Sequence, residues 1–293
     1  MIKSINNPLT LSFIGGGLGS SIGNMHFLGS QLDKNFKVVS GFFSRNKKKN
    51  LDSAKKYNIS KSRVYTNLRE LIINEINKVD FFVILTPTPE HFKNIKELIK
   101  LNINLIIEKP LVSNINESNR LKILLKKYKH KIYLINNYTG YPALREIKEI
   151  IHSNKYGKFL HFNFNMTQES FLRNQRKDQI VKQWRKKDYQ IPNLFLDLGI
   201  HLFNLSHFFF NQNPKTVLAD MSKLGKNALV DNAKILLKYK NDFNGSFWFS
   251  KSSLGNRNNL NIEIFFEKCS IKWEHNNYEY IILSYPDGSI KTL

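Results

Sequence analysis

Three places in this sequence hold residues of a kind and spacing that can do chemistry. In the run Gly15-Gly-Gly-Leu-Gly-Ser20, a short apolar stretch meets glycines and a helix-like segment follows at once. The first strand, phosphate turn and first helix of a dinucleotide-binding unit read this way. Gly15 makes the tight turn and Gly17 lets the backbone approach a pyrophosphate. Ser20 is expected at the third position, where only a small residue fits between helix and strand. The helix N-terminus then offers N–H groups and a positive dipole end to phosphates. Lys109 stands before Pro110 at the carboxyl end of an apolar strand, an odd place for a solvated cation. An amine there can stabilise a developing alkoxide. Asp197 and His201 lie four residues apart, so one helical turn puts them on the same face. Histidine titrates near neutral pH and suits a general base, while a carboxylate beside it orients the ring and stabilises its charged form. Read alone, such a pair is more often a helix-surface pair or a structural histidine.

These groups need a scaffold, and an alternation of strand and helix patterns supplies one as far as about residue 135. Phe36 to Phe43 reads as a second strand, Asp52 to Tyr57 as a helix, and Val64 to Thr66 as a short third strand. Leu68, Leu71, Ile72 and Ile76 form one helical stripe. Val79 to Leu85 is almost wholly apolar, as a parallel strand buried on both faces should be. Thr86-Pro-Thr-Pro89 stops it, Glu90 to Leu101 is helical again, and a fifth strand from Leu105 ends in Glu108-Lys109-Pro110. The expected fold is α/β, a doubly wound parallel sheet with ligands at the strands' carboxyl ends.

After residue 135 the pattern changes. Lys158 to Gln168 alternates, and five further strands are expected at Thr216–Met221, Ala233–Tyr239, Gly245–Lys251, Leu260–Phe266 and Ser270–Trp273. A basic loop from Glu169 to Asn193 and a helix from Leu198 to Phe210 interrupt them. This is an α+β unit with an open, mainly antiparallel sheet. The expected domains are 1–135, binding a dinucleotide, and 136–293, binding substrate and making subunit contacts.

With 293 residues the chain can bury two cores. The net charge of +22 invites a nucleic-acid reading. Against it, lysine outnumbers arginine 36 to 9, the excess is spread along the chain, and the densest cluster, Arg45 to Lys49, has no interleaved aromatic residue. No nucleic-acid partner is expected. No apolar run approaches the ~18–20 residues of a membrane span, and the N-terminal residues have no apolar signal region. The single cysteine, Cys269, suits a reducing cytoplasm and sits in an apparent strand, as a core thiol would. Histidines are scattered, so no metal is expected.

Eight short motifs in register carry a resemblance. They are the glycine turn with His26, Thr86-Pro-Thr-Pro-Glu-His91, Glu108-Lys-Pro110, Asn137-Tyr-Thr-Gly-Tyr-Pro142, Gln183-Trp-Arg185, Asp197-Leu-Gly-Ile-His201, Asp231-Asn232 and the segment Gly255 to Leu260. Over nearly its whole length the chain resembles the glucose-fructose oxidoreductase / inositol dehydrogenase (Gfo/Idh/MocA) family of nicotinamide-dependent sugar and polyol oxidoreductases. Two of the motifs resemble a subgroup close to levoglucosan and related sugar dehydrogenases. The resemblance implies that Lys109, Asp197 and His201 form the reacting centre, with His201 taking a hydroxyl proton as hydride passes to the nicotinamide. It implies cofactor contacts from Gly15, Gly17, Leu18, Gly19, Ser20, Ser44, Arg45, Thr86, Pro87, His91 and Glu108. Asn137, Tyr138, Tyr141, Trp184 and Arg185 are expected toward substrate. His91 can equally cap or pack the next helix, the two tyrosines can serve interdomain packing, and Trp184 can be a plain hydrophobic anchor. The partner implied is a small sugar or polyol, in a homo-oligomer.

The cofactor is NAD or NADP. No carboxylate ends the second strand to grip ribose hydroxyls, since Phe43 is followed by Ser44-Arg45 and the next acid is Asp52. Arg45 can clamp a 2′-phosphate, yet related sequences with Ser here use NAD. Two departures from the family pattern bear on activity. Ile191-Pro-Asn-Leu-Phe-Leu196 stands where the subgroup carries glycines, which reshapes the pocket. Leu293 follows closely on the last expected strand, where family members continue with a further helix. These departures keep two alternatives open, a non-catalytic binding or regulatory relative and a member that cleaves or epimerises a glycoside by transient oxidation with retained cofactor.

Overall fold

Apolar strands alternating with amphipathic helices build the first half of the structure, a computed structural model that describes residues 7–101, 103–128, 132–173, 185, 187–225, 228–240 and 243–293. The chain divides into two compact units, Met1–Ile135 and Asn136–Leu293. The first contains strands β1 (Leu9–Gly15), β2 (Phe36–Phe42), β3 (Phe81–Leu85), β4 (Asn104–Glu108) and β5 (Ile132–Ile135). Its helices are α1 (Ser21–Leu32), α2 (Lys47–Lys56), α3 (Leu68–Glu75), α4 (Thr88–Leu98) and α5 (Ile115–Lys127). All five strands are parallel, in the order β2-β1-β3-β4-β5. Phe13, Ile14, Phe82, Val83, Ile84 and Leu105 are buried in it, as residues of a sheet covered on both faces are. The chain leaves β1 for β2 on one side and later returns to β3 on the other. Their divergence makes the carboxyl end of β1 the place where such sheets hold ligands.

Asparagine begins several of these helices. Asn46, Asn67 and Asn114 accept from the N–H groups of Lys49, Glu70 and Glu117. Glu70 and Glu117 reach back to the amides of Thr66 and Ser113, which closes each helix start.

The third strand expected at Val64–Thr66 does not form. A single parallel bridge joins Val64 to Gly41, and Tyr65 N donates to Gly41 O at 3.0 Å. The segment is held by side chains instead. The fully buried Glu75 carboxylate accepts from Arg63 and from the Tyr65 hydroxyl, the latter at 2.6 Å. These bonds hold the Glu75 carboxyl below its usual range although burial pushes the other way. Lys109 therefore follows the fourth strand, not the fifth.

The second unit has helix α6 (Pro142–His152), strand β6 (Phe159–Thr167) and helix α7 (Ile200–Phe210). Strands β7 (Thr216–Ser222), β8 (Asn232–Lys238), β9 (Asn244–Ser250), β10 (Asn259–Phe266), β11 (Ser270–Glu274), β12 (Ile282–Ser284) and β13 (Ile290–Thr292) follow. The eight-stranded sheet has the order β13-β12-β11-β10-β6-β9-β8-β7. Only β6 and β9 pair in parallel among the described strands; the other neighbours are antiparallel. The three-residue strands β12 and β13 are too short for a periodicity to declare itself. Alternate residues of β6, β9 and β10 turn inward against Leu144, Ile147, Leu202, Leu205 and Phe209 of α6 and α7. Cys269 is buried in this core, and burial pushes its thiol pKa up, as expected of a packed thiol. Among the described residues no helix is long and apolar enough to cross a membrane.

Aromatic packing sets tolerances in this core. Gly245 sits opposite Phe162 in the parallel β6–β9 register, and a methyl group at Gly245 would lie 2.1 Å from the Phe162 ring. That ring also packs on Phe164, Phe210 and Phe247, so it has no free space to yield into. Gly245→Ala is expected to destabilise the protein by about 1–3 kcal/mol, measured by denaturant unfolding.

Candidate active site

Close backbone contacts shape the turn after β1. Gly15 has φ +84, and a side chain there would meet the backbone of Leu85 and Thr86 at 2.9 Å. At Gly17 it would lie 2.8 Å from Phe43 O and from Ser53 Oγ. At Gly23 it would come within 1.9 Å of Gly16 O, so α1 rides directly on the turn. The small-residue position expected at Ser20 therefore falls at Gly23. Ser20 is the N-cap of α1 instead, its Oγ accepting from Gly23 N at 3.2 Å. The correction follows from the hydroxyl's reach, which suits a cap and leaves the tight approach to a residue without Cβ.

Helix α2 holds this turn from the side. Tyr57 Oη donates to Gly16 O at 2.7 Å, and Leu18 N donates to Ser53 Oγ at 2.8 Å. Asn50 Oδ1 accepts from the amides of Phe43 and Ser44, while its Nδ2 donates to Tyr65 O. Sequence reasoning passed over Asn50, Ser53 and Tyr57. A signal was present, since with Ala54 they stand at positions i, i+3, i+4 and i+7 of one helix stripe, with polar types where apolar ones are usual. Ser44 Oγ accepts from Asn46 N, and the exposed Arg45 lies 3.4 Å from Glu90 Oε1. The backbone-lined cradle, with a capped helix N-terminus above it, fits a dinucleotide pyrophosphate.

At the carboxyl ends of β3 and β4, two histidines tie the loops down. His26 Nε2 lies 2.6 Å from Glu108 Oε1, with both side chains largely buried. His91 places Nδ1 2.8 Å from Pro110 O and Nε2 2.8 Å from Thr86 O. An uncharged ring donates to one carbonyl only; a charged ring donates to both. Burial pushes the His91 pKa below its ordinary 6.5, against the pull of the two carbonyls, Glu108 and Glu117. His91 is thus a packed clamp between the loops of Thr86-Pro87 and Lys109-Pro110, and Lys109, next to Pro110 in sequence, is half-buried.

In the second unit, Phe195–Gly199 forms a π turn ahead of α7, with Ile200 N bonded back to Phe195 O. Asp197 therefore sits on a wider turn than α-helical spacing assumes. Its Oδ2 accepts from Lys251 Nζ at 2.7 Å and lies 3.6 Å from Arg185 Nη1. Lys251 is a buried lysine that sequence reasoning missed; in a chain so rich in lysine nothing local distinguished it. Its backbone is fixed by Asp231 O at 2.7 Å, and Asp231 is fixed in turn by Leu224 N, Gly225 N and Ser252 Oγ. His201 is buried in the first turn of α7, with the Tyr138 ring edge-on at 4.9 Å. Burial raises the Tyr138 pKa first of all; an Asn258 hydrogen bond opposes this and the charges of Tyr141 and Asp197 add to it. Tyr141 Oη lies 3.1 Å from His275 Nε2, and the ring packs on Trp273 and Tyr278. Asn137 is exposed. Trp184 lies outside the described residues.

A parallel sheet with this turn defines a dinucleotide-binding Rossmann protein. Residues 10–136 match the family model described as "Oxidoreductase family, NAD-binding Rossmann fold", and residues 144–272 match "GFO/IDH/MocA C-terminal domain". The chain belongs to the Gfo/Idh/MocA family of oxidoreductases and carries its NAD-binding domain. It is 26% identical over 283 residues to the uncharacterized oxidoreductase YfiI of Bacillus subtilis, across 92% of this chain and 72% of that protein. It superposes on an NAD+ complex of an inositol dehydrogenase homolog from Azotobacter vinelandii with a TM-score of 0.92 at 19% identity, covering 99% of this chain and 77% of that one. A levoglucosan dehydrogenase in complex with NADH gives 0.84 at 18% identity, covering 98% and 80%. At these identities the two structures share the fold.

The His91 clamp has a pH signature. Its native pKa is depressed, so the unfolded chain takes up a proton first as pH falls. Its contribution to stability is complete above pH 6.5 and is lost as pH falls through the native value. Thermal midpoints measured at about pH 7.5 and about pH 5.5 are expected to drop less in His91→Gln than in the wild type.

Proposed function

We propose that the protein is an NAD(P)-dependent dehydrogenase moving a hydride between the nicotinamide and a hydroxyl-bearing carbon of a cyclic polyol, sugar or sugar derivative. The observation that carries this reading is the set of buried Lys251, His201 and Tyr138 gathered with the partly buried Asp197 at the start of α7. Buried ionisable side chains are costly and cluster where chemistry is done. The likeness to an inositol dehydrogenase homolog bound to NADH and myo-inositol, and to a levoglucosan dehydrogenase, supports the substrate class.

In this reading residues 1–135 bind the dinucleotide and residues 136–293 bind substrate and make subunit contacts. The backbone of Gly15 to Gly19 and the amides at the start of α1 hold the pyrophosphate; Ser44 and Arg45 face the adenosine ribose. Thr86, Pro87 and Glu108 edge the nicotinamide side, their loops held by His91 and His26. When bound, the nicotinamide supplies the hydride acceptor. His201 withdraws the hydroxyl proton of the substrate, which raises electron density at the carbon that gives up hydride. Lys109, at the end of β4, supplies a cation that can stabilise negative charge developing on a substrate oxygen. Asp197 orients the His201 ring for this transfer. Tyr138 keeps its hydroxyl proton and offers it to a sugar oxygen, while Arg185 and Asn137 contact the substrate periphery.

The test is a titration of nucleotide-stripped protein with NAD(H) and NADP(H), followed by a panel of cyclic polyols and sugars read by nicotinamide absorbance. Turnover of at least one member is expected. His201→Ala should lower it by about 100-fold or more while dinucleotide affinity stays unchanged. Undiminished turnover would remove His201 from the mechanism.

A further inference from the structure

Lys251 is built into its place. Its backbone N donates to Asp231 O at 2.7 Å and its backbone O accepts from Phe171 N at 2.9 Å. The side chain is 9% exposed, with the Phe171 ring 5.6 Å from the ammonium. Its Nζ reaches Asp197 Oδ2 at 2.7 Å, while the half-exposed Arg185 lies farther off at 3.6 Å. A buried ammonium needs a partner, and so does a carboxylate on a helix start packed against phenylalanine. Each answers the other, and Lys251 is the nearer and better-buried cation.

The consequence falls on His201, four residues on from Asp197. A general base must remain uncharged until it takes the substrate proton. A carboxylate about one helical turn away that loses its nearest cation favours the charged form of an imidazole and draws a proton onto it prematurely. A cation fixed on that carboxylate cancels much of its field. Among the described residues, Arg185 from the loop, Lys251 from the end of β9 and Tyr138 from the turn Asn137–Gly140 face this pair. Asp231 lies beyond the Lys251 backbone, with both carboxylate oxygens already accepting hydrogen bonds.

We propose that Lys251 is a positioning residue for His201. By holding and neutralising Asp197 it keeps the imidazole uncharged and free to act as base. The inference rests on the reading of His201 as the base, and it extends that reading to a residue outside the Asp-x-x-x-His motif.

The experiment is an NMR pH titration of the histidine rings in the full chain, stripped of nucleotide, with the His201 signal assigned by its loss in His201→Gln. Lys251→Gln keeps a hydrogen-bond donor to Asp197 and removes the charge. It is expected to move the His201 midpoint upward, with about tenfold tighter proton binding, and Lys251→Arg to restore it. An unchanged His201 midpoint in folded Lys251→Gln overturns the proposal. So does a charged His201 ring at neutral pH in the wild type, a measurement that needs no variant. Full turnover in His201→Ala would sink the parent reading instead, so the two failures are distinguishable.

Discussion

The close approach of α1 to the glycine turn, where a methyl group at Gly23 would lie 1.9 Å from Gly16 O, is the constraint the first unit is arranged around. It fixes how closely α1 can approach the end of β1, and so where the first amides of that helix point. Everything around it serves that approach. Tyr57 holds the Gly16 carbonyl from α2, Ser53 holds the Leu18 amide, and Asn50 gathers the end of β2. A phosphate-binding turn has few side chains of its own. Its rigidity is borrowed from a neighbouring helix whose polar residues face inward.

The second unit solves a different problem. A sheet backed by two helices is filled with aromatic rings. Its ionisable side chains Asp197, His201 and Lys251 gather at one interruption, the π turn before α7. There the helix has not yet settled into its regular spacing, and Asp197 can meet a lysine arriving from the end of β9. An ion pair at 2.7 Å with the lysine buried resists displacement, because the ammonium would be left without solvent or counter-charge.

Much of this was legible in the sequence, for reasons that differ by element. The glycine turn announced itself because a backbone in close contact excludes side chains, and absence of a side chain is a sequence property. The long strands declared themselves through apolar runs or alternation. Val64–Thr66 misled because, beyond one bridge to Gly41, Tyr65 is recruited by Glu75 and Thr66 by Glu70 rather than by a strand ladder. Ser20 misled in a smaller way, since a cap and a packing position both favour small residues and lie three positions apart. The Asp231-Asn232 motif belongs to the support of Lys251, its carboxylate and amide being spent on backbone groups and on Trp248.

Taken alone, the sequence determined the fold class, the place of the phosphate turn and the candidacy of Lys109, Asp197 and His201, because periodicity, glycine and motif spacing are local properties of a chain. Only the tertiary structure decided that Asp197 pairs with Lys251, that His91 clamps two loops, and that Asn50 shapes the end of β2. Those pairings join residues from separate elements, 54 positions apart for Asp197 and Lys251. Their energy arises from burial, and burial belongs to the folded chain rather than to any stretch of it.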